Sequence, residues 1–313
     1  MEKFLSNSKN RLLCVGSVAF DTIETPFGGL KKTLGGSASY FSLAASYFVK
    51  PAVVGVVGKD FTKKHFEILS GRGVDVSGIK QALGKTFHWS GKYHFDLNTR
   101  DTLKTELGVF EHFSPSLTAA QADSPYVFLA NIHPALQLKV FSQIKHPKLV
   151  GLDTMNLWIE KHPKQLKTVL RKVDVFVIND SEARQFSGQN NLVKAAASIL
   201  KLMRKTKNIA LVIKRGEYGL LMFRQGQLFS LPGFLLESPK DPTGAGDSFA
   251  GGMMGYLAAS RDFSAKNFKA ACVYGTLVAS FSVEEFGTRA LQNLSRQKIQ
   301  DRLKLYKNQL SHL

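Results

Sequence analysis

The segment with the most chemistry in it is KDPTGAGDSFAGGMMGYLA (240–258). Three small residues, Gly244, Ala245 and Gly246, lead into a long helix of small and apolar residues. The first N–H groups of a helix lack partners, and the aligned peptide dipoles add partial positive charge there. An anion, above all a phosphate, is favoured at such a start, and small side chains let it approach the backbone. No Lys-Ser or Lys-Thr follows the glycines, so this is not a Walker-type loop. Asp247 falls in the first helical turn, beside the anion pocket. A carboxylate there can take the proton of an attacking alcohol, as phosphoryl transfer to a hydroxyl requires. It can equally be an acid that only favours a helix start.

The elements that would position this loop alternate β-rich runs with helical patterns, the rhythm of a mostly parallel sheet flanked by helices. RLLCVGS (11–17), AVVGVVG (52–58), YVFLA (126–130), KLVGLD (148–153), VDVFVIN (173–179) and IALVIK (209–214) read as buried strands. SASYFSLAASYF (37–48) and DFTKKHFEILSGRG (60–73) read as helices, the second stopped by glycine. Other helical patterns centre on 134–144, 163–172 and 190–205. Two stretches break the rhythm, TIETPFGGLKKTL (22–34) and KTFHWSGKYHFDLNTRDTLKTELGVF (85–110). Their strand-like alternation suggests a small accessory β-sheet, a lid that shields a reacting site from water, or else two ordinary surface hairpins. The expected fold is α/β, one domain over 1–313, with this lid at its edge.

Composition bounds the partners. Apolar residues make up 44% and charged residues 21% of the 313, ordinary for a folded protein. No apolar run is long enough for a membrane span, and the opening MEKFLSNSKNR lacks the apolar core of a secretion signal. Cys14 and Cys272, each in an apolar segment, read as buried free thiols of a reducing compartment, and a cytoplasmic location is expected. The net charge of +18 is spread along the chain with no uninterrupted block and no nucleic-acid motif. A solvated surface accounts for it better than a DNA or RNA partner, and an anionic substrate is the other reading.

DPTGAGDSFAGG closely resembles the C-terminal motif of the ribokinase/PfkB carbohydrate-kinase family, D-T-x-G-A-G-D-x-F, with Pro242 at the common Thr and Thr243 after it. Further landmarks follow the family order. GSVAFD (16–21) resembles the first strand and its substrate-binding Asp, here Asp21. GGSASY (35–40) resembles the Gly-Gly sugar-binding turn, with Gly35, Gly36, Ser37 and Tyr40. NDSE (179–182) resembles the N-x-x-E motif that positions magnesium and phosphate, giving Asn179 and Glu182. KRGEYG (214–219) resembles the nucleotide-binding strand and turn, with Lys214, Gly216 and Gly219. YGTLVASFSVEEFG (274–287) lies where the family packs against adenine. The resemblance implies an ATP- and Mg²⁺-dependent kinase in which Asp247 is the base and Gly244, Ala245 and Gly246 hold the transferring group. It also implies a K⁺ ion near Asp241, Thr243 and Gly287, and a homodimer through the lids.

Each of these residues has a simpler reading too. Asp21 can be a turn acid, Gly35 and Gly36 a tight turn, Asn179 and Glu182 a capping box, and Lys214 a strand-end surface lysine. Relatives that act on sugars usually carry Asn where this chain has Tyr40, and ribokinase carries Asn where it has Ala19. Plain D-ribose is therefore not the expected acceptor. A sugar or sugar-like alcohol comes first and a nucleoside second. His88, Trp89, Lys92, Tyr93, His94 and Arg100 in the second lid segment could stack on an acceptor or receive a phosphate. LDTMNLWI (152–159) places Asp153, Asn156 and Trp158 on the crevice rim.

Overall fold

A computed structural model describes residues 10–310 of the chain. Its strands divide between two sheets because two kinds of pattern are present, continuous apolar runs and exposed alternation. β1 (Leu12–Val15) opens the main sheet, and β2 (Ala19–Thr25) and β3 (Gly28–Gly35) leave it for the second. β4 (Pro51–Val57) and β5 (Asp75–Gln81) return to the main sheet, and β6 (His88–Tyr93) and β7 (Arg100–Glu106) complete the second. β8 (Tyr126–Leu129), β9 (Leu149–Leu152), β10 (Val175–Asn179), β11 (Ala210–Lys214), β12 (Leu220–Arg224) and β13 (Gln227–Leu231) finish the main sheet. Its order is β13-β12-β11-β10-β9-β8-β1-β4-β5, parallel throughout except for the antiparallel β11, β12 and β13 edge.

Twelve α-helices lie among the described residues. They are α1 (Ser37–Ala45), α2 (Lys63–Ser70), α3 (Ala119–Ala122), α4 (Pro134–Phe141), α5 (Asn156–Lys161) and α6 (Pro163–Leu170) in the first half. The second half holds α7 (Asp180–Ser187), α8 (Leu192–Leu202), α9 (Ala245–Ser260), α10 (Ala265–Ser282), α11 (Arg289–Asn293) and α12 (Arg296–Leu310). Alternate strand residues feed two cores, as a pleated strand buried on both faces must. Leu12 and Cys14 join the core under α1, α9 and α10, and Leu13 and Val15 the core under α4, α6 and α8. Among the described residues no helix is long and apolar enough to cross a membrane. Cys14 and Cys272 are both buried and free.

The predicted strands form where the apolar runs place them, and the two lid segments form one sheet rather than two separate hairpins. Its order is β3-β2-β6-β7, with β2 and β6 parallel at the seam between two antiparallel hairpins. The first hairpin starts earlier than expected, at Ala19, so Asp21 lies on a lid strand and not at the end of β1. The break falls at Gly16–Val18, after which the Phe20 N–H donates to the Phe87 carbonyl. At the far end of the second segment, Gly108–His112 is a 3₁₀ turn outside the sheet. α2 starts three residues later than read, because Thr62 caps it with His65 while the Asp60 carboxylate turns to Thr86.

Candidate active site

α9 begins where the small residues require it to. Gly244 has φ +72, a left-handed conformation that glycine adopts without strain. Behind it, glycines bring two helices into close contact with α9. A Cβ at Gly251 would strike the Phe41 carbonyl of α1, and one at Gly252 would come within 3.1 Å of Gly275 in α10. This close packing lays the Tyr40 ring of α1 directly on Gly244, leaving no room for a side chain there. Tyr40 is fully buried, and its hydroxyl has no hydrogen-bond partner among the described residues.

The free amides at this start differ from the expected set. The Ala245 N–H donates to the Pro242 carbonyl at 3.1 Å, because the loop already folds into a turn before the helix. Among the described residues, the N–H groups of Gly244, Gly246 and Asp247 are the ones without an acceptor. Asp241 and Thr243 hold the loop from below. The two Asp241 oxygens accept from Thr243 N–H (2.9 Å) and Gly287 N–H (2.8 Å), and the Thr243 hydroxyl donates to Tyr93 of the lid (3.2 Å). Burial lifts the Asp241 carboxyl above its ordinary range, against the pull of those two amides and the Thr243 hydroxyl.

Three strands end around Asp247. Asp153 follows β9, Asn179 closes β10 and Lys214 closes β11, and parallel pairing aligns their C-terminal ends along one edge. Lys214 Nζ lies 3.9 Å from Asp153 and so close to Gly246 that a Cβ there would stand 2.6 Å away. The lysine is thus built into the site rather than exposed at a strand end. Asn179 and Glu182 do form the capping box, with Asn179 N–H donating to Glu182 (3.0 Å) and Glu182 N–H to the Asn179 side chain (2.7 Å). Glu182 is nonetheless only 8% exposed and feels the charges of Lys214 and Asp153. The capping reading is met, and the same geometry keeps Glu182 buried within the field of Lys214 and Asp153.

The electrostatics follow from gathering buried Asp153, buried Glu182 and half-buried Asp247 around one lysine. Burial first, then repulsion from Asp153, pushes the Asp247 carboxyl up to about 7, with Lys214 and Arg100 pulling it back. Burial lifts Glu182 to about 7 as well, and raises Asp153. For Lys214 burial works against the charge, yet Asp153, Glu182 and Asp247 together hold its pKa above the ordinary value. Sequence reading put Asp153 on the crevice rim; it is buried inside this cluster. Asn156 stands exposed at the start of α5, and Trp158 donates to the Asn131 side chain at 2.8 Å.

On the lid side, Asp21 is buried against the Gly-Gly turn. A Cβ at Gly35 would overlap its carboxylate, and at Gly36, φ +89, a side chain would collide with the Ser17 carbonyl. Ser37 and Ser17 lock this turn, Ser37 N–H donating to the Ser17 hydroxyl at 3.0 Å. Burial lifts the Asp21 carboxyl to about 7, against a bond from the Gly36 N–H and with repulsion from Asp241 and Asp247. Asn131, which no motif signalled, lies beyond β8 with its carbonyl 3.5 Å from the Ser37 hydroxyl.

Next to the cluster opens a cavity of about 310 Å³. Phe234, Leu235, Leu236, Phe249, Ala279 and Val283 give it apolar walls, and Lys214, Ala245 and Gly246 line it too. Gly216 (φ +56) and Gly219 (φ +84) turn the chain along its side. A half-buried carboxylate, a helix start with free amides and an apolar slot therefore share one crevice at the strand ends.

Residues 9–294 match the pfkB family carbohydrate kinases. The cytidine kinase of Thermococcus kodakarensis is 30% identical over 255 residues, covering 78% of this chain and 87% of that one. The nucleoside kinase of Methanocaldococcus jannaschii, an archaeal member of the ribokinase family, superposes with a TM-score of 0.76 at 21% identity, over 95% of this chain and 98% of that one. Ribokinase from Cryptococcus neoformans in complex with ADP gives 0.76 at 21% identity, over 93% and 99%.

Proposed function

Because the chain belongs to the pfkB family of carbohydrate kinases, we propose that it moves the γ-phosphoryl group of ATP to an alcohol of a nucleoside. The observation that carries the transfer chemistry is the pairing of half-buried Asp247 with unpartnered amides at the start of α9. The 30% identical cytidine kinase supports the nucleoside, which this chain's sequence alone ranks behind a sugar. Tyr40 in place of the sugar kinases' Asn supports the same choice, and Trp89 and Tyr93 on β6 supply aromatic faces on the lid.

Asp21 grips the acceptor's hydroxyls in the chamber closed by Gly35, Gly36, Ser37 and Tyr40. The nucleotide lies in the apolar slot along Gly216 and Gly219 with its phosphates toward Lys214. Asp247 takes the proton of the attacking hydroxyl. The amides of Gly244, Gly246 and Asp247 receive the charge that develops on the transferring group. Magnesium bound to the polyphosphate would neutralise its β and γ oxygens. Among the described residues no three acidic, histidine or cysteine side chains can cage an ion. Asp153 and Glu182 therefore suit an ion that keeps its waters and rides on the phosphates.

Potassium beside Asp241, Thr243 and Gly287 would offset the buried Asp241 charge and stiffen the loop, and exchanging K⁺ for tetramethylammonium should then lower turnover. All seven β7 residues are exposed, and Phe27 and Phe95 are 50% and 82% exposed with ring centroids 6.2 Å apart. An open strand edge of this kind supports a homodimer through the lids, measurable by light scattering. The whole chain acts as one kinase domain in this reading.

The decisive assay follows ATP consumption with magnesium and potassium against cytidine, uridine, inosine and adenosine beside ribose and other sugars. Turnover of a nucleoside, lost in Asp247→Asn, is the expected result. Turnover of sugars alone would return the acceptor to that class.

A further inference from the structure

The turn joining β6 to β7 reaches past the acceptor chamber to the nucleotide slot. Asp96, Leu97 and Asn98 line the same cavity as Lys214, Gly246 and Phe249. This turn is rigid by its own bonds. Asp96 accepts from the N–H groups of Asn98 (3.1 Å) and Thr99 (3.0 Å) and from the Thr99 hydroxyl (2.9 Å). His94 N–H donates to the Thr99 carbonyl at 2.9 Å, and the His94 ring pairs with Asp101 at 2.9 Å. Leu97 takes a left-handed φ of +55 to close the loop. The polar side chains of the turn are thus spent within the hairpin, with one exception. Among the described residues the Asn98 amide has no hydrogen-bond partner, and its oxygen stands 2.6 Å from where a Cβ of Gly216 would be. Gly216 is two residues past Lys214, at the turn that flanks the slot.

We propose that Asn98 is a contact for the donor nucleotide, so that the sheet gripping the acceptor through Asp21 also touches ATP. This rests on the kinase reading above for the identity of the ligand. An amide offers both a donor and an acceptor, which suits the ribose hydroxyls or phosphate oxygens lying between an apolar base slot and Lys214. Where the sheet closes on the crevice as one body, each ligand favours the closed position and so helps the other to bind. Whatever acceptor binding adds to nucleotide affinity, nucleotide binding adds to acceptor affinity.

The test measures binding of a non-hydrolysable ATP analogue, AMP-PNP with Mg²⁺, by calorimetry to the full chain, with and without saturating cytidine. Asn98→Ala changes an exposed turn residue and should leave the melting temperature within about 2 °C. It is expected to weaken AMP-PNP by about 3- to 10-fold, the loss of one neutral hydrogen bond, and to shrink the effect of cytidine. Asn98→Asp keeps the shape of the turn but sets a carboxylate beside the polyphosphate, and should bind AMP-PNP more weakly still. A merely structural Asn98 would leave Asn98→Asp at the parent value. AMP-PNP affinity within twofold of the parent for both variants overturns the inference while leaving the kinase reading intact. Failure of the parent itself to bind AMP-PNP overturns both.

Discussion

Substituting Asp21 by asparagine should make the protein more stable and less useful at the same time. Burial holds the Asp21 carboxyl at about 7, against an ordinary 3.8. The gap is about three pKa units at about 1.4 kcal/mol each, so ionising Asp21 costs the folded chain about 4 kcal/mol. The residue is 4% exposed, and water does little to screen that cost. Below about pH 4 the folded and unfolded chains both carry the proton and the cost is absent. Between about 4 and 7 the unfolded chain has released its proton while the folded chain keeps it, so stability falls as pH rises through this window. Asparagine keeps the size and an acceptor oxygen for the Gly36 N–H, but it does not ionise. At pH 8 the variant is expected to gain about 2–4 kcal/mol, allowing for a weaker bond to Gly36. At about 2 °C per kcal/mol for a chain of this length, that is about 4–8 °C in melting temperature. Scanning calorimetry of both ligand-free proteins at pH 4.5 and 8 measures it, beside calorimetric loss of acceptor binding. If Asp21→Asn melts below the parent at pH 8, or both proteins respond equally to pH, the argument from burial is wrong.

Asp247→Asn removes the proposed base, and turnover should drop by about 10²- to 10⁴-fold with AMP-PNP affinity kept, as single-turnover kinetics and calorimetry would register. Since Asp247 must be ionised to accept a proton and its carboxyl sits at about 7, kcat/KM should fall as pH drops below that value. Lys214→Met deletes the cation that draws this carboxyl down and should move the acidic limb of the pH–rate profile upward; an unmoved limb would separate Lys214 from Asp247. Gly244→Ala forces a side chain into a left-handed backbone, at about 1–2 kcal/mol, and onto the Tyr40 ring. A loss of about 3 kcal/mol in urea unfolding is expected, and the same substitution should cost less when made in a Tyr40→Ala background.

The sequence revealed those elements whose patterns are extreme. β1, β4, β8, β9, β10 and β11 are almost wholly buried, so uninterrupted apolar runs marked them. β5 (DVSGIKQ) was missed because an edge strand needs to bury little, and only Ile79 of it is fully covered. β13 escaped for the same reason, ending the sheet with four of five residues outside the core. At the site, the glycine turn, Asp247 and the Asn179–Glu182 pair were readable because their spacing is local. Asp153 and Asn98 were not readable as members of it. Their neighbours Lys214 and Gly216 are brought to them only by strand pairing and by the lid hairpin crossing the cavity, and no short-range pattern encodes either approach.

Carrying Asp21 on β2 has a consequence for how such an enzyme can change. The carboxylate proposed to recognise the acceptor is encoded in 19–35, together with the glycine that makes room for it, and its partner hairpin in 88–106. Asp247 and the helix start that would handle the phosphoryl group lie more than 130 residues further on, beyond most of the main sheet. Recognition and chemistry are therefore separable by inheritance. Exchanging the two hairpins between relatives would alter what is phosphorylated while leaving the means of phosphorylating it in place, and in such a chimera the first hairpin has its junctions at Gly16–Val18 and Gly36, where the chain already changes direction.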